Sequence, residues 1–415
     1  MRLLEVMKKA AVLDLLQRQF SEIAPTGGKT EWLAIELAVG RTLAADIISE
    51  ENMPEFKRST VDGYAVRAID TAGCSESIPA FLTIVGESVM GQVTDVQLAA
   101  RQALRVPTGG MVPDGADAVV MLEYTELMEP QLAIFRSIAP RENVIDAGDD
   151  VCAGEILFAR GKRLETQHIG VLAMLGCQTV LVRNRPTIGI ISAGDELVNI
   201  GEKPKVGQVR DVNGLNLALF ARQYGGEVLS QCLVPDDDEQ IGVALSAAIA
   251  TCDIVLISGG SSVGESDHTA EIINSKGAPG VLVHGVAIKP GKPTIVAQIA
   301  DKFIFGLPGH PAACIMAFLA LVAPFMQNTV LENNIELNQF NNVIEAKAGF
   351  QLHGGQGRDV FQFVKIEREN GVNVAYPLNG KSGMLSLLAQ ADGYIELSMD
   401  SEGICVGERL AVKLF

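Results

Sequence analysis

The chain has 415 residues, with 33 Lys and Arg against 50 Asp and Glu and a net charge of −17. At roughly 150 residues per domain the length predicts two or three domains, and a hydrophobic share of 48% excludes a disordered tail. The acidity argues against a duplex nucleic-acid binder, which needs Lys and Arg to displace counterions, but a local pocket can still be positive for a small anion. With 42 Gly and 17 Pro beside 15 Phe, 5 Tyr and 1 Trp, the composition predicts many tight turns and little surface for base stacking.

Taken in chain order, apolar residues at Leu4, Met7, Ala11, Leu15 and Phe20 alternate with charges. The spacing predicts an amphipathic helix and lacks the unbroken apolar stretch of a signal peptide. The remainder of a first region, 1 to about 183, predicts short strands over 80–85, 118–121, 132–138 and 156–158 with Gly, Pro and Asp turns between them. A helix over 167–175 and a strand over 179–182 follow. From 186 to about 330 the texture alternates. Strands are predicted over 187–192, 227–233, 253–258 and 303–305, and helices over 213–224, 238–250 and 311–326. Strand, loop and helix at this interval imply parallel strands with crossover helices in an open α/β sheet, with ligands beyond the carboxyl ends of the strands. The apolar stretch 312–326 contains Pro324 and is short of the roughly 18–20 residues that cross a bilayer, so it reads as a buried core helix. The tail, about 335–415, returns to strands over 360–366, 372–377, 393–397 and 409–414, a small β domain. Seven cysteines without a C-x-x-C pair predict reduced, mostly buried thiols in a cytoplasmic protein.

Three strand ends of the middle region open into unusual loops. After 253–258 comes Gly259-Gly260-Ser261-Ser262-Val263-Gly264-Glu265-Ser266-Asp267. Its paired glycines suit backbone amides turned around an anion, and equally an ordinary glycine-rich turn. After 187–192 comes Ala193-Gly194-Asp195-Glu196-Leu197, two carboxylates suited to a divalent cation, to a ribose hydroxyl, or to a helix N-terminal turn. After 303–305 comes Gly306-Leu307-Pro308-Gly309-His310-Pro311, a rigid turn whose second proline suits the first helical position. Lys289-Pro290-Gly291-Lys292-Pro293 mounts two lysines on a stiff frame, either fixed charge for an oxyanion or a solvated turn. In the first region Asp62-Gly63-Tyr64 and Pro107-Thr108-Gly109-Gly110 are primarily turn signals. There is no H-E-x-x-H, Walker A or G-x-S-x-G motif and no zinc-spaced cysteines, and histidine is scarce, at 168, 268, 284, 310 and 353. Carboxylates, lysines and backbone amides remain, an inventory suited to phosphate and oxyanion chemistry with a divalent metal.

In order along the chain, Pro54-x-Phe56-x-x-Ser59-x-x-Asp62-Gly63-Tyr64-Ala65, Pro107-Thr108-Gly109, Pro113-x-Gly115-Ala116-Asp117-Ala118-Val119-Val120, Glu142-Asn143-Val144, Gly148-x-Asp150, Gly194-Asp195-Glu196-Leu197, Asp211-x-Asn213, the Gly259–Gly264 segment, Lys289-Pro290-Gly291-Lys292-Pro293 and Leu307-Pro308-Gly309-x-Pro311 resemble the molybdopterin molybdenumtransferase family, which includes the E domain of gephyrin. The resemblance implies a multidomain α+β and α/β fold. Residues 1–183 would form a β-rich region with a lid subdomain at about 62–145, residues 186–330 a central open α/β sheet of the MoaB/Mog kind, and residues 335–415 a small C-terminal β domain. It further implies a homodimer in which the lid of one chain faces the α/β domain of the other. The implied reaction is insertion of molybdate into adenylylated molybdopterin, with release of AMP and the molybdenum cofactor and with Mg2+ assisting. By the same resemblance, Gly259, Gly260, Ser261, Ser262 and Gly264, with Pro308 and Gly309, hold pterin or nucleotide phosphates. Asp195, Glu196, Asp237 (or Asp236) and Asp267 bind metal and ribose. Lys289 and Lys292, with Arg358 and Ser382, face molybdate, and Asp62, Thr108 and Asp150 complete the catalytic set. Partners implied are a molybdopterin adenylyltransferase and apo-molybdoenzymes. Ala193, His268, His310, Ala313 and Ile145 depart from the family's usual Thr, Tyr, Asn, Ser and Arg. The lost hydroxyls and guanidinium keep two alternatives open: a divergent paralogue favouring tungstate or serving as a scaffold, and an adenylyltransferase resembling the middle domain.

Overall fold

In the computed structural model, which describes residues 6–23, 28–259, 266–330, 343–355, 357–378, 380 and 386–415, the Ile- and Val-rich runs after Pro186 form a six-stranded sheet. Its order is Glu227–Val234, Thr187–Ala193, Ile254–Ser258, Lys302–Leu307, Ile295–Ile299 and Pro279–His284. The first four strands are parallel; the two further strands, not expected from the sequence, are joined by antiparallel pairing, Ile295–Ile299 running against the rest and Pro279–His284 with them. The cause is local. Ile299 and Lys302 face each other across Ala300 and Asp301, with Ala300 at φ 53°, a turn far too short for a crossover helix.

Both faces of this sheet are buried. On one, Ile191, Val255, Ile257 and Ile304 pack with Leu245 of the helix Asp238–Thr251 and Ile273 of the helix Ser266–Ser275. On the other, Ile188, Ile190, Leu256 and Phe305 meet Leu217 of the helix Val212–Gln223, the buried segment from Pro311 onward, and the helix Lys9–Ile23. That first helix buries Val12 and Leu16; of the expected apolar positions Met7, Leu15 and Phe20 pack against the same core, and Ala11 is exposed. The apolar 312–326 stretch is a core element as expected, divided into Pro311–Ala317, a π-helical turn Phe318–Val322, and Ala323–Val330. Pro324 cannot donate to a carbonyl four residues back, which fits a widened turn just before it. No helix among the described residues is long and apolar enough to cross a membrane.

The tail strands Asp359–Glu369, Val372–Pro377, Val343–Ala348, Arg409–Leu414 and Gly393–Leu397 pair in that order. Asp359–Glu369 also pairs with Gly393–Leu397, which closes a five-stranded barrel. Val364, Ala375, Ile395 and Val412 fill it. One short strand of the middle region, Ile288–Lys289, joins the same sheet by pairing in parallel with Asp359 and Val360. All of this belongs to one packing unit, made of Met1–Ala44, Gly161–Glu165 and Thr179–Phe415.

The second unit comprises Ala45–Arg160 and Thr166–Gln178. Its sheet runs Ala118–Met121, Gly63–Val66, Gln102–Val106, Ala80–Glu87, Gln131–Ile134 and Thr125–Met128, with Tyr64, Val66, Leu82 and Leu132 on one face and Ala65, Leu104, Val106 and Val119 on the other. Gly63 is obligatory, because a Cβ there would stand 2.1 Å from the Val120 carbonyl oxygen. The seven cysteines are free, but only Cys252 and Cys314 are buried; Cys152, Cys232 and Cys405 are exposed. The expectation of mostly buried thiols is corrected on this point, since those three lie in turns or on a sheet face open to solvent.

At the amino end of its strand, Asp253 accepts hydrogen bonds from Thr187 N at 3.0 Å and Thr187 Oγ1 at 2.8 Å and pairs with Lys302 Nζ at 3.2 Å. Partial burial pushes its carboxyl upward, but these partners prevail and hold it below the ordinary carboxylate range. A depressed folded-state value means stabilisation that is present above the unfolded value of about 3.9 and lost as pH falls through the folded one. Asp253→Asn is therefore expected to lower the thermal midpoint at pH 7, with the gap to wild type closing below about pH 3.9; calorimetry across that range checks it.

Candidate active site

The site begins with register. Ser192 pairs with Ser258 and Ser258 with Leu307, so the loops that follow these three strands leave the sheet side by side at its carboxyl edge. Gly259 continues with φ +98°, and a Cβ there would lie 2.0 Å from the Ala193 carbonyl oxygen; only glycine lets this strand end cross its neighbour. Gly309 is next to it, its own Cβ position falling 3.7 Å from the Gly259 Cα. Beneath both, Asn213 Nδ2 donates to Ser258 Oγ at 2.8 Å and to the Gly309 carbonyl at 2.7 Å. Asp211 caps the helix that carries Asn213 by accepting from Gly214 N at 2.9 Å. Asn213 Oδ1 and Ser192 Oγ, both buried, have no hydrogen-bond partner among the described residues, so the floor of the site offers polar groups to the loops above it. Cys314 also lies in this floor, 3.8 Å from Ser258 Oγ. Burial pushes its thiol up to about 12, which keeps it protonated and unreactive. Asp211-x-Asn213, a motif whose sequence gives no sign of its task, supplies this bridge.

At the neighbouring strand ends, Asp195 and Glu196 are exposed, and Asp195 Oδ1 accepts from Asp236 N at 3.1 Å, drawing two acidic loops together. Asp237 has a structural role, accepting from Gln240 N at 2.9 Å as the cap of the helix Asp238–Thr251. Gly260, Ser261, Ser262, Gly264 and Ser382 lie outside the described residues, as does the side chain of Asp267. Among the described residues no group of three or more His, Cys, Asp or Glu comes together to hold a metal. Two adjacent exposed carboxylates, Asp195 and Glu196, nonetheless fit Mg2+, a hard ion that completes its shell with waters and substrate phosphates. His268, in place of the family's tyrosine, points Nδ1 at Asp238 Oδ2 across 3.4 Å, and His310 precedes Pro311 without capping the helix through its side chain.

The lysine turn is rigidly mounted. Val286 N donates to the Lys292 carbonyl at 2.9 Å, and Thr294 Oγ1 to the Gly291 carbonyl at 2.6 Å. Lys289 and Lys292 stand exposed at either side, with no ion-pair partner among the described residues. A Cβ at Gly291 would lie 3.5 Å from Ala317 Cβ, so the turn packs on the helix Pro311–Ala317 that follows the Pro308–Gly309 loop. Strand pairing sets Lys289 against Val360, and Asp359 N donates to the Ala287 carbonyl at 2.9 Å. The backbone of Arg358 is thereby held next to the strand that leads into the lysine turn.

In the second unit, Asp62 Oδ1 accepts from Thr108 N at 2.8 Å, so two expected partners 46 residues apart are brought together. Asp150 donates its N–H to the Met53 carbonyl at 3.0 Å, and no hydrogen bond among the described residues joins it to Asp62. Ile145, replacing an arginine, pairs with Arg58 in a short antiparallel ladder.

Comparison with known proteins agrees with this anatomy. The family described as "MoeA N-terminal region (domain I and II)" matches residues 8–176, "Probable molybdopterin binding domain" matches 189–328, and "MoeA C-terminal region (domain IV)" matches 345–415. The chain is 33% identical to the molybdopterin molybdenumtransferase of Bacillus subtilis (strain 168) over 394 residues, 93% of this chain and 90% of that protein. It is 31% identical to that of Haemophilus influenzae over 406 residues, 97% and 98% of the two chains. The crystal structure of the molybdopterin biosynthesis MoeA protein from Pyrococcus horikosii superposes with a TM-score of 0.84 at 33% identity, over 99% of both chains. Strand-end loops, a lysine turn tied to a tail barrel and these three matched regions define a multidomain transferase. The chain belongs to the molybdopterin molybdenumtransferase family.

Asn213→Ala would strand the Ser258 hydroxyl and the Gly309 carbonyl, a loss of about 1–3 kcal/mol for buried groups left unpaired. Gly259→Ala, clashing with the Ala193 carbonyl, is expected to abolish ligand binding; thermal unfolding and nucleotide titration of both variants check these outcomes.

Proposed function

We propose that this chain inserts molybdate into the dithiolene of adenylylated molybdopterin, releasing AMP and the molybdenum cofactor. The observation that carries the reading is the lysine turn: two exposed ammonium groups on a hydrogen-bonded frame, packed against the helix that leaves the Pro308–Gly309 loop. A dianionic oxyanion needs charge that does not relax away from it, and a fixed frame supplies that without reorganisation. In this reading Gly259, Pro308 and Gly309 seat the phosphates and pterin, with Asn213 holding their loops in register. Lys289 and Lys292 orient molybdate and offset its charge as the dithiolene sulfurs approach, with Arg358 as a third cation. Asp195 and Glu196 would hold Mg2+, which adds positive charge at the substrate phosphates. Catalytic roles for Asp267, Ser382, Asp62, Thr108 and Asp150, a homodimeric state and a cytoplasmic location belong to the proposal through family membership. So do an adenylyltransferase that supplies the substrate and apo-molybdoenzymes that receive the product. Ala193 and Ala313, both buried where the family carries hydroxyls, support an altered choice of oxyanion, and tungstate is the natural comparison.

The test supplies purified protein with adenylylated molybdopterin, Mg2+ and either molybdate or tungstate, and follows AMP and cofactor. Wild type is expected to form both products. Lys289→Ala and Lys292→Ala are expected to fall about 100-fold or more, the scale of losing one preorganised charge-stabilising group, with unchanged circular dichroism and melting. Wild-type rates in both variants would overturn the site assignment. Adenylylated product from molybdopterin and Mg-ATP would instead make the protein an adenylyltransferase.

A further inference from the structure

At the amino ends of the parallel strands, away from the loops described above, lies a cavity of about 220 Å³. Arg41, Arg163, Arg183, Arg185 and Arg222 line it, and no Asp or Glu among the described residues does. In a chain of net charge −17, five arginines lining one small space are not explained by composition. Two acidic residues offset part of the charge from outside the lining. Glu31 pairs with Arg41 at 2.6 Å, and Glu165 raises the affinity of Arg163 for its proton while burial lowers it more strongly. Among these residues the arginines outnumber the carboxylates five to two.

The frame around the cavity is well ordered by backbone pairing. Arg183 ends the strand Thr179–Arg183 and faces Thr30 in an antiparallel ladder. Its N–H donates to the Thr42 carbonyl at 2.8 Å, and Arg41 Nη2 donates to its carbonyl at 2.6 Å. Thr42 forms a further bridge to Arg163. Arg41 and Arg183 are 8% and 3% exposed; Glu31 pairs with the first, and Nη1 of the second donates to the Gly28 carbonyl at 3.4 Å, so both are held firmly in the wall. The observation that points to a ligand is polar. Thr42 and Gln327 also line the cavity, at 1% and 3% exposure, and Thr42 Oγ1 and Gln327 Nε2 have no hydrogen-bond partner among the described residues. Buried donors without acceptors are costly. An anion would satisfy them, and guanidinium geometry in the same wall matches paired oxygens.

We propose that this cavity binds a compact tetrahedral oxyanion of the phosphate and molybdate class, at a place separate from the lysine turn. Size selects the ligand. Pockets for drug-sized molecules and cofactors run from about 300 to 1,000 Å³, so this one suits a single oxyanion with a few waters and is too small for a nucleotide. The site therefore takes the charged group alone, either as free phosphate or as the oxyanion the family uses as substrate.

The experiment is equilibrium binding of inorganic phosphate and, separately, of molybdate to the full chain at constant ionic strength, for wild type, Lys292→Ala and the double variant Arg185→Glu/Arg222→Glu. Arg185 and Arg222 are exposed, so their exchange spares the buried frame. Binding is expected to persist in Lys292→Ala and to weaken at least about tenfold in the double variant, as follows from removing charge-assisted hydrogen bonds. Molybdate insertion, if present, should be unchanged by the double variant. The arm with the tighter constant identifies which oxyanion the cavity prefers. Equal affinities in wild type and the double variant overturn the proposal. A tungstate-soaked wild-type crystal gives an answer that does not depend on the variant folding: an anomalous peak between Arg41 and Arg183 is expected, and its absence refutes the site.

Discussion

The strand-end crossing of Gly259 over Ala193 is the constraint on which the rest of the active region depends. Four parallel strands bring their carboxyl ends to one edge, but strands alone would leave the loops to diverge. The carbonyl of Ala193 sits where any side chain at 259 would have to be, so the two loops are forced into contact. Asn213 then fastens the arrangement from below through Ser258 and Gly309. A single amide thus links two loops and a helix. The buried neighbours with it, Cys314 and Ser192, contribute shape and polarity without chemistry of their own.

Charge is placed by a different device. An acidic molecule cannot gather anions through its overall field, so cations must be concentrated locally on a fixed frame. The lysine turn does this with backbone hydrogen bonds and packing against Ala317. The arginine cavity does it with strand pairing at the opposite end of the same sheet. In both places the cations are held by the main chain, so little ordering remains to be done when an anion arrives.

Local pattern made much of the fold legible. Strands such as Ala118–Met121, Val372–Pro377 and Arg409–Leu414 were readable to the residue because turn residues bound short apolar runs. Direction was not readable: the pattern that identifies Lys302–Leu307 says nothing of an antiparallel neighbour, and Val343–Ala348 carries Glu345, Lys347 and three small or weakly patterned positions that hide a strand. The ordered motifs contain Asp62 and Thr108, and the Asp62 carboxylate accepts from the Thr108 N–H; Lys289 pairs with Val360, two residues past Arg358. The role of Asn213 was hidden because its partners are 45 and 96 residues away. The arginine cavity was hidden for the same reason, its members being scattered from 41 to 222. No window of sequence contains such a site; only the ladder that pairs distant strands assembles it.

The closed tail barrel has one further consequence. Its longest strand, Asp359–Glu369, is shared between barrel neighbours and the Ile288–Lys289 pair from the α/β domain. The junction that sequence would treat as a linker is therefore stitched across by a ladder begun some seventy residues earlier. In a chimera between two members of the family, exchanging the tail by itself would break that ladder. The module that travels intact is the barrel together with the 286–294 loop.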